Sequence, residues 1–319
     1  MHKLIQLLDD LKVPHVERGN EHCREGWVQV SCPFCPGGDH DFHLGINLAG
    51  AYTSCYRCGF HSFESLLKAV GDIPRQEASG LKRMVFPSGS NQSSRTVTEV
   101  VRAKYDFVLP SEGPASEYER AYRYLQKRLG DDACKLIDMY DLRFTGMTYK
   151  YPHPTTASPY KYANSIVIPN RLDGTVVSFQ TRSFLPGMTG YMTAKPEEEL
   201  FHHKHFLWGI DLVPLNSVIV VEGVFNAMSI GPGAVHTHGC QFTKNQVDEL
   251  ATFDKVYVAY DRDAPGELAT KKLLASLSHR TAVYVLKYGE FAPHIKDPND
   301  LMGTVAGRKE LQDMRSLVQ

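Results

Sequence analysis

From Ser217 onward the chain alternates short, wholly apolar runs with amphipathic ones. Apolar runs near 217–221, 234–237, 255–260 and 282–287 read as strands, and helical spacing near 224–230, 243–252 and 265–278 reads as helices. Strands apolar on both faces belong to a parallel sheet covered by helices, so this stretch predicts βαβ units. Upstream, helical periodicity covers Ala115 to Arg128 and Asp131 to Tyr140. The runs Ser165-Ile-Val-Ile-Pro169 and Thr175-Val-Val-Ser-Phe179 flank Asp173-Gly174, a hairpin-turn signal, which makes the middle α+β. At the N-terminus, a short helix over Met1 to Asp10 precedes three strand-like stretches (Trp27 to Val30, Phe42 to Asn47 and Ala51 to Ser54) and a closing helix, Phe63 to Val70.

The fold class expected is therefore α/β and α+β, multidomain. Residues 1–70 read as a small ribbon domain, and 71–97, rich in Pro, Ser, Gly and Gln, as a flexible linker. Residues 98–215 read as an α+β subdomain, 216–300 as the βαβ core and 301–319 as a C-terminal helical tail. As a random coil the linker would span about 25 to 30 Å. No internal repeat is found.

Composition narrows the classes. The 319 residues are 42% hydrophobic with a formal charge of -1, and basic and acidic residues are interspersed. With no polybasic tail, nucleic-acid contact would have to come from a folded groove. No apolar run approaches the roughly 18 residues of a membrane span, and the acidic N-terminal helix is unlike a signal or transit peptide. The expectation is a soluble, intracellular protein without a membrane partner. The absence of a G-x-x-x-x-G-K-[ST] loop leaves any helicase to a separate partner.

Of seven cysteines, Cys32, Cys35, Cys55 and Cys58 form two C-x-x-C pairs separated by 19 residues. Paired thiols at this spacing, bracketing antiparallel strands, describe a zinc ribbon holding one structural Zn2+, since four thiolates leave no open coordination position. His22, Cys23, His40, His43 and His61 lie nearby and read as surface or satisfied polar groups rather than ligands. Trp27, Phe34, Phe42, Tyr52, Tyr56 and Arg57 offer rings and a cation for stacking unpaired bases, although part of them must form the domain's core. Cys134 and Cys240 read as inert packing residues.

Three carboxylates follow the apolar runs: Glu222 in Val218-Ile-Val-Val-Glu222-Gly223, and Asp261 and Asp263 in Val256-Tyr-Val-Ala-Tyr-Asp261-Arg-Asp263. Ligands and metals bind where parallel strands end, and acids gathered there are costly to hold without a divalent cation. A site for Mg2+ or Mn2+ is the first reading. Helix capping is the competing one, because acids at helix N-termini satisfy free N–H groups. Lys296-Asp-Pro-Asn-Asp300 offers Asp297 or Asp300 to the same rim, or is an ordinary turn.

Taken together, these residues resemble the DnaG-type DNA primases of bacteria and phages, with a zinc-binding domain and a Toprim-containing RNA polymerase domain. Ser31-Cys-Pro-Phe-Cys35 and Cys55-Tyr-Arg-Cys58-Gly are similar to the zinc knuckles, and Tyr124-Leu-Gln-Lys-Arg128 to the helix opening the polymerase domain. The stretch Ile168 to Arg182 resembles a hairpin whose closing arginine lies on a basic nucleic-acid surface, and Phe201 to Gly209 a following segment that supplies a basic residue. Glu222-Gly223 and Asp261-Arg-Asp263 match the Toprim acids, and His238 to Thr243 matches the intervening loop in position. Three departures stand out: four cysteines, nearer to phage-type ribbons, then Asn226 where the family often has an aspartate, and Asn299 in place of the second acid of an Asp-Pro-Asp motif.

The resemblance implies RNA primer synthesis on a single-stranded DNA template from nucleoside triphosphates. In that scheme Asp261 and Asp263 are metal ligands, Glu222 a ligand or the proton acceptor, and Asp297 a further ligand. Arg182 and Lys204 hold template or triphosphate, favouring Lys204 as a phosphate contact over a metal at His202, His203 and His205. The short segment after Asp300 leaves no room for a helicase-binding domain, which points to a phage or mobile-element protein with a separate replicative helicase. The competing readings are a Toprim nuclease or topoisomerase-like enzyme and a non-catalytic nucleic-acid-binding module.

Overall fold

The computed structural model describes residues 2–17, 23, 26–48, 53–86, 106–154, 158–185, 187, 190–214 and 216–319. Three sheets follow one another along the chain. The first is antiparallel, with β1 (His15–Val16), β2 (Trp27–Val30), β3 (Leu44–Asn47), β4 (Thr53–Cys55) and β5 (Gly59–His61) in sequential order. The helix Lys3–Asp10 covers it with Leu4, Ile5, Leu7 and Leu8, all buried, as its i, i+3, i+4 spacing requires. The helix Phe63–Gly71 closes this core from the other end with Phe63, Leu66 and Leu67.

The expected linker over 71–97 is corrected in its first half. Arg75–Val85 is a helix that buries Arg75, Ala78 and Val85. Its apolar positions at 78, 81 and 85 repeat at helical spacing, a pattern hidden by the surrounding polar residues. The rest of the linker, from 87 to 97, lies outside the described residues.

The second sheet is also antiparallel, in the order β10 (Tyr191–Thr193), β9 (Thr175–Ser183), β8 (Ser165–Leu172), β7 (Arg143–Thr145) and β6 (Gly113–Pro114). The two long strands turn at Asp173 and Gly174, both with positive φ (52° and 76°), as a two-residue primed turn demands. The helices Glu119–Leu129 and Ala133–Tyr140 lie beside it.

The third sheet is parallel, in the order β12 (Ala234–His236), β11 (Ser217–Val221), β13 (Lys255–Val258) and β14 (Ala282–Val285). Alternate residues of β11 face two different cores. Ile219 and Val221 meet the helices Val224–Ile230 and Val305–Ser316 and the middle domain, whereas Val218 and Val220 meet the helices Lys244–Leu250 and Ala264–Leu277. Each such side chain contributes about 1.5–3 kcal/mol when fully buried, and the pair of cores fixes the register of β11. The C-terminal helix is no loose tail, since its Leu311 and Met314, and Val318 just beyond it, are buried against the first of these cores.

Trp208 ties the second and third sheets together: its indole N–H donates to the Pro169 carbonyl (3.0 Å) and its backbone pairs with His236. The ribbon domain docks on the third sheet's outer helix. Arg75 forms a buried ion pair with Glu249, donates to Thr252 Oγ1 at 2.9 Å and stacks over the Phe253 ring at 4.1 Å, while Ser65 donates to Glu249 at 3.1 Å.

Candidate metal centres and nucleic-acid interface

The four paired cysteines converge. Their sulfurs lie within 4.8 Å of one another, with Cys32–Cys58 at 3.4 Å, Cys35–Cys55 at 3.5 Å and Cys35–Cys58 at 3.6 Å. Tetrahedral zinc with bonds of about 2.3 Å places sulfurs about 3.8 Å apart, so the donor set fits one structural zinc. Asp39 organises the first knuckle, its carboxylate accepting the N–H groups of Cys32 (2.7 Å), Asp41 (3.0 Å) and His43 (2.8 Å). Burial pushes the Asp39 carboxyl up, but these donors and the His43 ring outweigh it and leave it at about 2. The same contact, His43 Nδ1 to Asp39 at 2.6 Å, commits the His43 ring to Asp39 and not to a metal. His61 stands just outside the cluster, its Nε2 3.1 Å from Cys58 Sγ and its ring stacked on Phe34. Tyr56 and Arg57 are exposed, as a stacking surface requires, whereas Phe34 is packed; Tyr52 and His22 lie outside the described residues.

At the C-terminal edge of the parallel sheet the acids also converge, but more loosely. β11 and β13 are neighbours, so Glu222 and Asp261 leave adjacent strands side by side, and Glu222 Oε1 accepts the Asp261 N–H at 3.2 Å. Burial, then the charges of Glu222, Asp297 and Asp263, raise the Asp261 carboxyl to about 7 against the hydrogen bond from Asn226. Glu222 is raised by burial and by Asp263 and Asp297 despite the Asp261 N–H, and Asp297 by burial and by Asp300. Glu222, Asp261 and Asp297, all pushed upward by burial and by neighbouring acids, form a rim whose charge is unbalanced, the condition a divalent cation corrects. Among the described residues their oxygens do not close to within the 4.8 Å that the thiols reach. An open rim of this kind suits Mg2+, which keeps water and substrate oxygens in its shell.

Capping accounts for one acid of the rim. Asp263 is the N-cap of Ala264–Leu277, accepting the Gly266 N–H at 2.9 Å. Glu222 and Asp261 cap nothing. Asp300 belongs to the turn, its carboxylate accepting the Lys296 N–H at 2.9 Å, whereas the charge of Asp297 reaches both Glu222 and Asp261.

Asn226 and Asn299, the two departures from the acid pattern, are both buried and linked. Asn226 donates to Asp261 Oδ1 (3.0 Å), the Asn299 N–H donates to Asn226 Oδ1 (3.4 Å), and the Asn299 amide donates to the Arg128 carbonyl (2.7 Å) and to Ser229 Oγ (2.7 Å). A hydrogen-bonded line thus runs from the acid rim to the helix Glu119–Leu129. An amide can donate to a carboxylate where a second acid could only repel it.

Two residues that sequence reasoning passed over complete the geometry. A side chain at Gly266 would place Cβ 2.2 Å from the Asp261 carbonyl and 2.7 Å from Glu222 Oε1, so only glycine lets this helix approach the rim. The signal was present in Asp263-Ala-Pro-Gly266, where a glycine directly follows the first-turn proline of the helix. Arg128, noted only as the end of a helix motif, lies over the Phe225 ring (5.0 Å) with its Nε buried and unpartnered. Arg182 Nε donates to Tyr124 Oη (3.1 Å) and its guanidinium sits over Tyr191 (4.6 Å), a ring that also feels the charge of Arg128. The two arginines and the half-exposed Tyr191 make a cationic, aromatic flank, and the charge of Arg128 reaches Asp297.

Lys204 is corrected. Its ammonium donates to the carbonyls of His238 (2.6 Å), Gln241 (2.8 Å) and Thr237 (3.3 Å). An ammonium has three donors, and here all three point at main chain, so Lys204 pins the loop after β12 and is not free for phosphate. That loop reaches the rim, because the Gly239 N–H donates to the Glu222 carbonyl at 2.9 Å.

Comparison with known proteins places this architecture. Residues 219–302 match the Toprim-like family model, and this part of the chain is a Toprim domain. The chain as a whole has the fold of the DnaG-type primases. It is similar to the zinc-binding and RNA polymerase domains of the Aquifex aeolicus primase, at 18% identity and a TM-score of 0.52 over 99% of this chain and 83% of that one. It is also similar to a DnaG catalytic core, at 22% identity and a TM-score of 0.50 over 69% of this chain and 77% of that one. No curated protein matches its sequence. Among the described residues no helix is long and apolar enough to cross a membrane.

Proposed function

We propose that this chain is a primase that makes short RNA primers on single-stranded DNA from nucleoside triphosphates. The observation that carries this reading is the meeting of Glu222, Asp261, Asp263 and Asp297 at the end of a parallel sheet, beside Arg128 and Arg182. Asp261 and Asp263 would hold Mg2+ or Mn2+, with Asp297 as a further ligand. The bound ion supplies charge neutralisation at the α-phosphate and acidifies the attacking 3'-hydroxyl. Glu222, whose carboxyl is raised by burial and by its neighbours, is suited to take the proton of that hydroxyl. Arg128 and Arg182 orient the triphosphate or the template backbone, with Tyr191 as a stacking platform. Lys204 acts by holding the loop that carries Gly239 against Glu222.

The ribbon, with Tyr56 and Arg57 outward, would read a short single-stranded template segment. Its helix Arg75–Val85 keeps it docked on the Toprim domain, and chain beyond residue 86 joins it to the polymerase domain. A replicative helicase would do the unwinding.

The test is primer formation on single-stranded DNA with magnesium and labelled ribonucleotides. Magnesium-dependent short products are expected. Strand cleavage without added nucleotides would instead identify a Toprim nuclease.

A further inference from the structure

We propose that this chain carries a second transition-metal site, separate from the ribbon and the acid rim, formed by Glu199, His202 and His203 and taking a zinc-class divalent ion. Donor atoms of these three residues lie within 4.8 Å of one another, the only described group besides the four thiols to do so. Glu199 Oε1 is 3.4 Å from His202 Nδ1, and Glu199 Oε2 is 3.1 Å from His203 Nδ1. Ligands at about 2.1 Å from a tetrahedral zinc stand about 3.4 Å apart, and each imidazole lies near that distance from one of the two Glu199 oxygens.

The surroundings lack what a purely structural ion pair would provide. Glu199 is 4% exposed, and although Oε2 accepts from Ser178 Oγ (2.6 Å) and from the His203 N–H (3.2 Å), Oε1 accepts no hydrogen bond. A buried carboxylate oxygen left in this state is costly, and an ion answers it. His238, whose ring centroid is 5.0 Å from that of His203, has both ring nitrogens buried without a partner, so the space beside the site is short of polar partners too. His236 is satisfied: its Nδ1 accepts the His238 N–H (2.9 Å) and its Nε2 meets Gln180 (3.1 Å). One contact opposes the site: the Lys204 N–H points at His202 Nδ1 at 3.2 Å, and ion binding there displaces it.

The chemistry is that of a borderline cation on imidazole and carboxylate, with three protein ligands and an open position that water fills. Its place gives it a consequence. The 3-10 turn His203–His205 carries Lys204, which pins the loop 237–241 against the rim, so an ion at Glu199 exchanges the His202 cap of that turn for a metal bond and acts on the turn from which the loop is held.

The deciding experiment uses the untagged full chain. After saturation with zinc and gel filtration, elemental analysis should give two zinc ions per chain, falling to one in His203→Gln and in Glu199→Gln. Crystals of the wild type, measured at the zinc edge, should show anomalous peaks at the four cysteines and between Glu199 and His203, a readout that needs no variant to fold. Cobalt replacement separates the sites, since only the ribbon ion gives thiolate charge-transfer bands. One zinc per chain with a single peak at the cysteines overturns the proposal, as does a ratio of two that neither substitution lowers.

Discussion

The ribbon and the acid rim both gather anionic ligands, yet they solve the repulsion differently. At the ribbon four sulfurs sit 3.4–3.6 Å apart where measured, on two tight knuckles, with Asp39 fixing the first. At the rim four acids come from three loops, each oriented by its own partner: an N–H for Glu222, Asn226 for Asp261, a helix terminus for Asp263 and the Asp300 N–H for Asp297. The first arrangement is finished before any substrate arrives. The second is left open, with room for the substrate oxygens that the proposed function would bring. A closed site stabilises, and an open one carries chemistry at some cost in stability.

The largest effect should come from breaking the closed site. Cys55→Ser should lose the ribbon zinc, whose binding to such sites is worth on the order of 10 kcal/mol, and melt residues 2–70. Metal analysis together with loss of the ribbon's amide protection checks this. A retained, zinc-loaded ribbon would break the comparison.

Next is the contact between the two regions. Glu249→Ala leaves Arg75 buried without its partner, and the cost should be about 3–5 kcal/mol. Denaturant unfolding measures it, with faster proteolysis after residue 86 as the companion readout. Gly266→Ala should cost about 1–3 kcal/mol by forcing the helix off the rim, and should weaken magnesium binding as it does so.

The open site should also show in the pH dependence. Asp261 titrates at about 7 when folded, against about 3.9 for an unperturbed carboxyl, so the folded state holds its proton more tightly. Its contribution to stability is therefore full below about pH 4 and is lost as pH rises through about 7. Asp261→Asn should remove that fall, melting above the parent at pH 8 without magnesium and equal to it at pH 4. A parent whose stability is flat over this range would contradict the unbalanced rim. The smallest effect is expected of Asn226→Asp, which sets a charge 3.0 Å from Asp261: magnesium affinity should rise a few-fold, read by titration calorimetry.

Much of this contrast was legible in the sequence. Paired cysteines carry their geometry in their spacing, and the Toprim strands announced themselves as apolar runs, two of them ending in an acid. Other parts were not. The helix Arg75–Val85 has a narrow apolar stripe within a polar segment and exists because Arg75 finds Glu249 across 174 positions of sequence. Lys204 looked like a free cation because nothing local shows that three carbonyls from residues 237–241 surround it. Asn226 and Asn299 looked like lost acids, and only their meeting in space shows a hydrogen-bonded line to Arg128. Local pattern reveals elements and knuckles, while partners chosen by the tertiary fold stay hidden.

The central claim, that the rim is a catalytic metal centre, is tested most directly by priming on single-stranded DNA with Asp261→Ala beside the wild type. The account predicts magnesium-dependent ribonucleotide products from the wild type and a loss of at least about a hundredfold in the variant, with the ribbon zinc retained. Equal products from both proteins would contradict it.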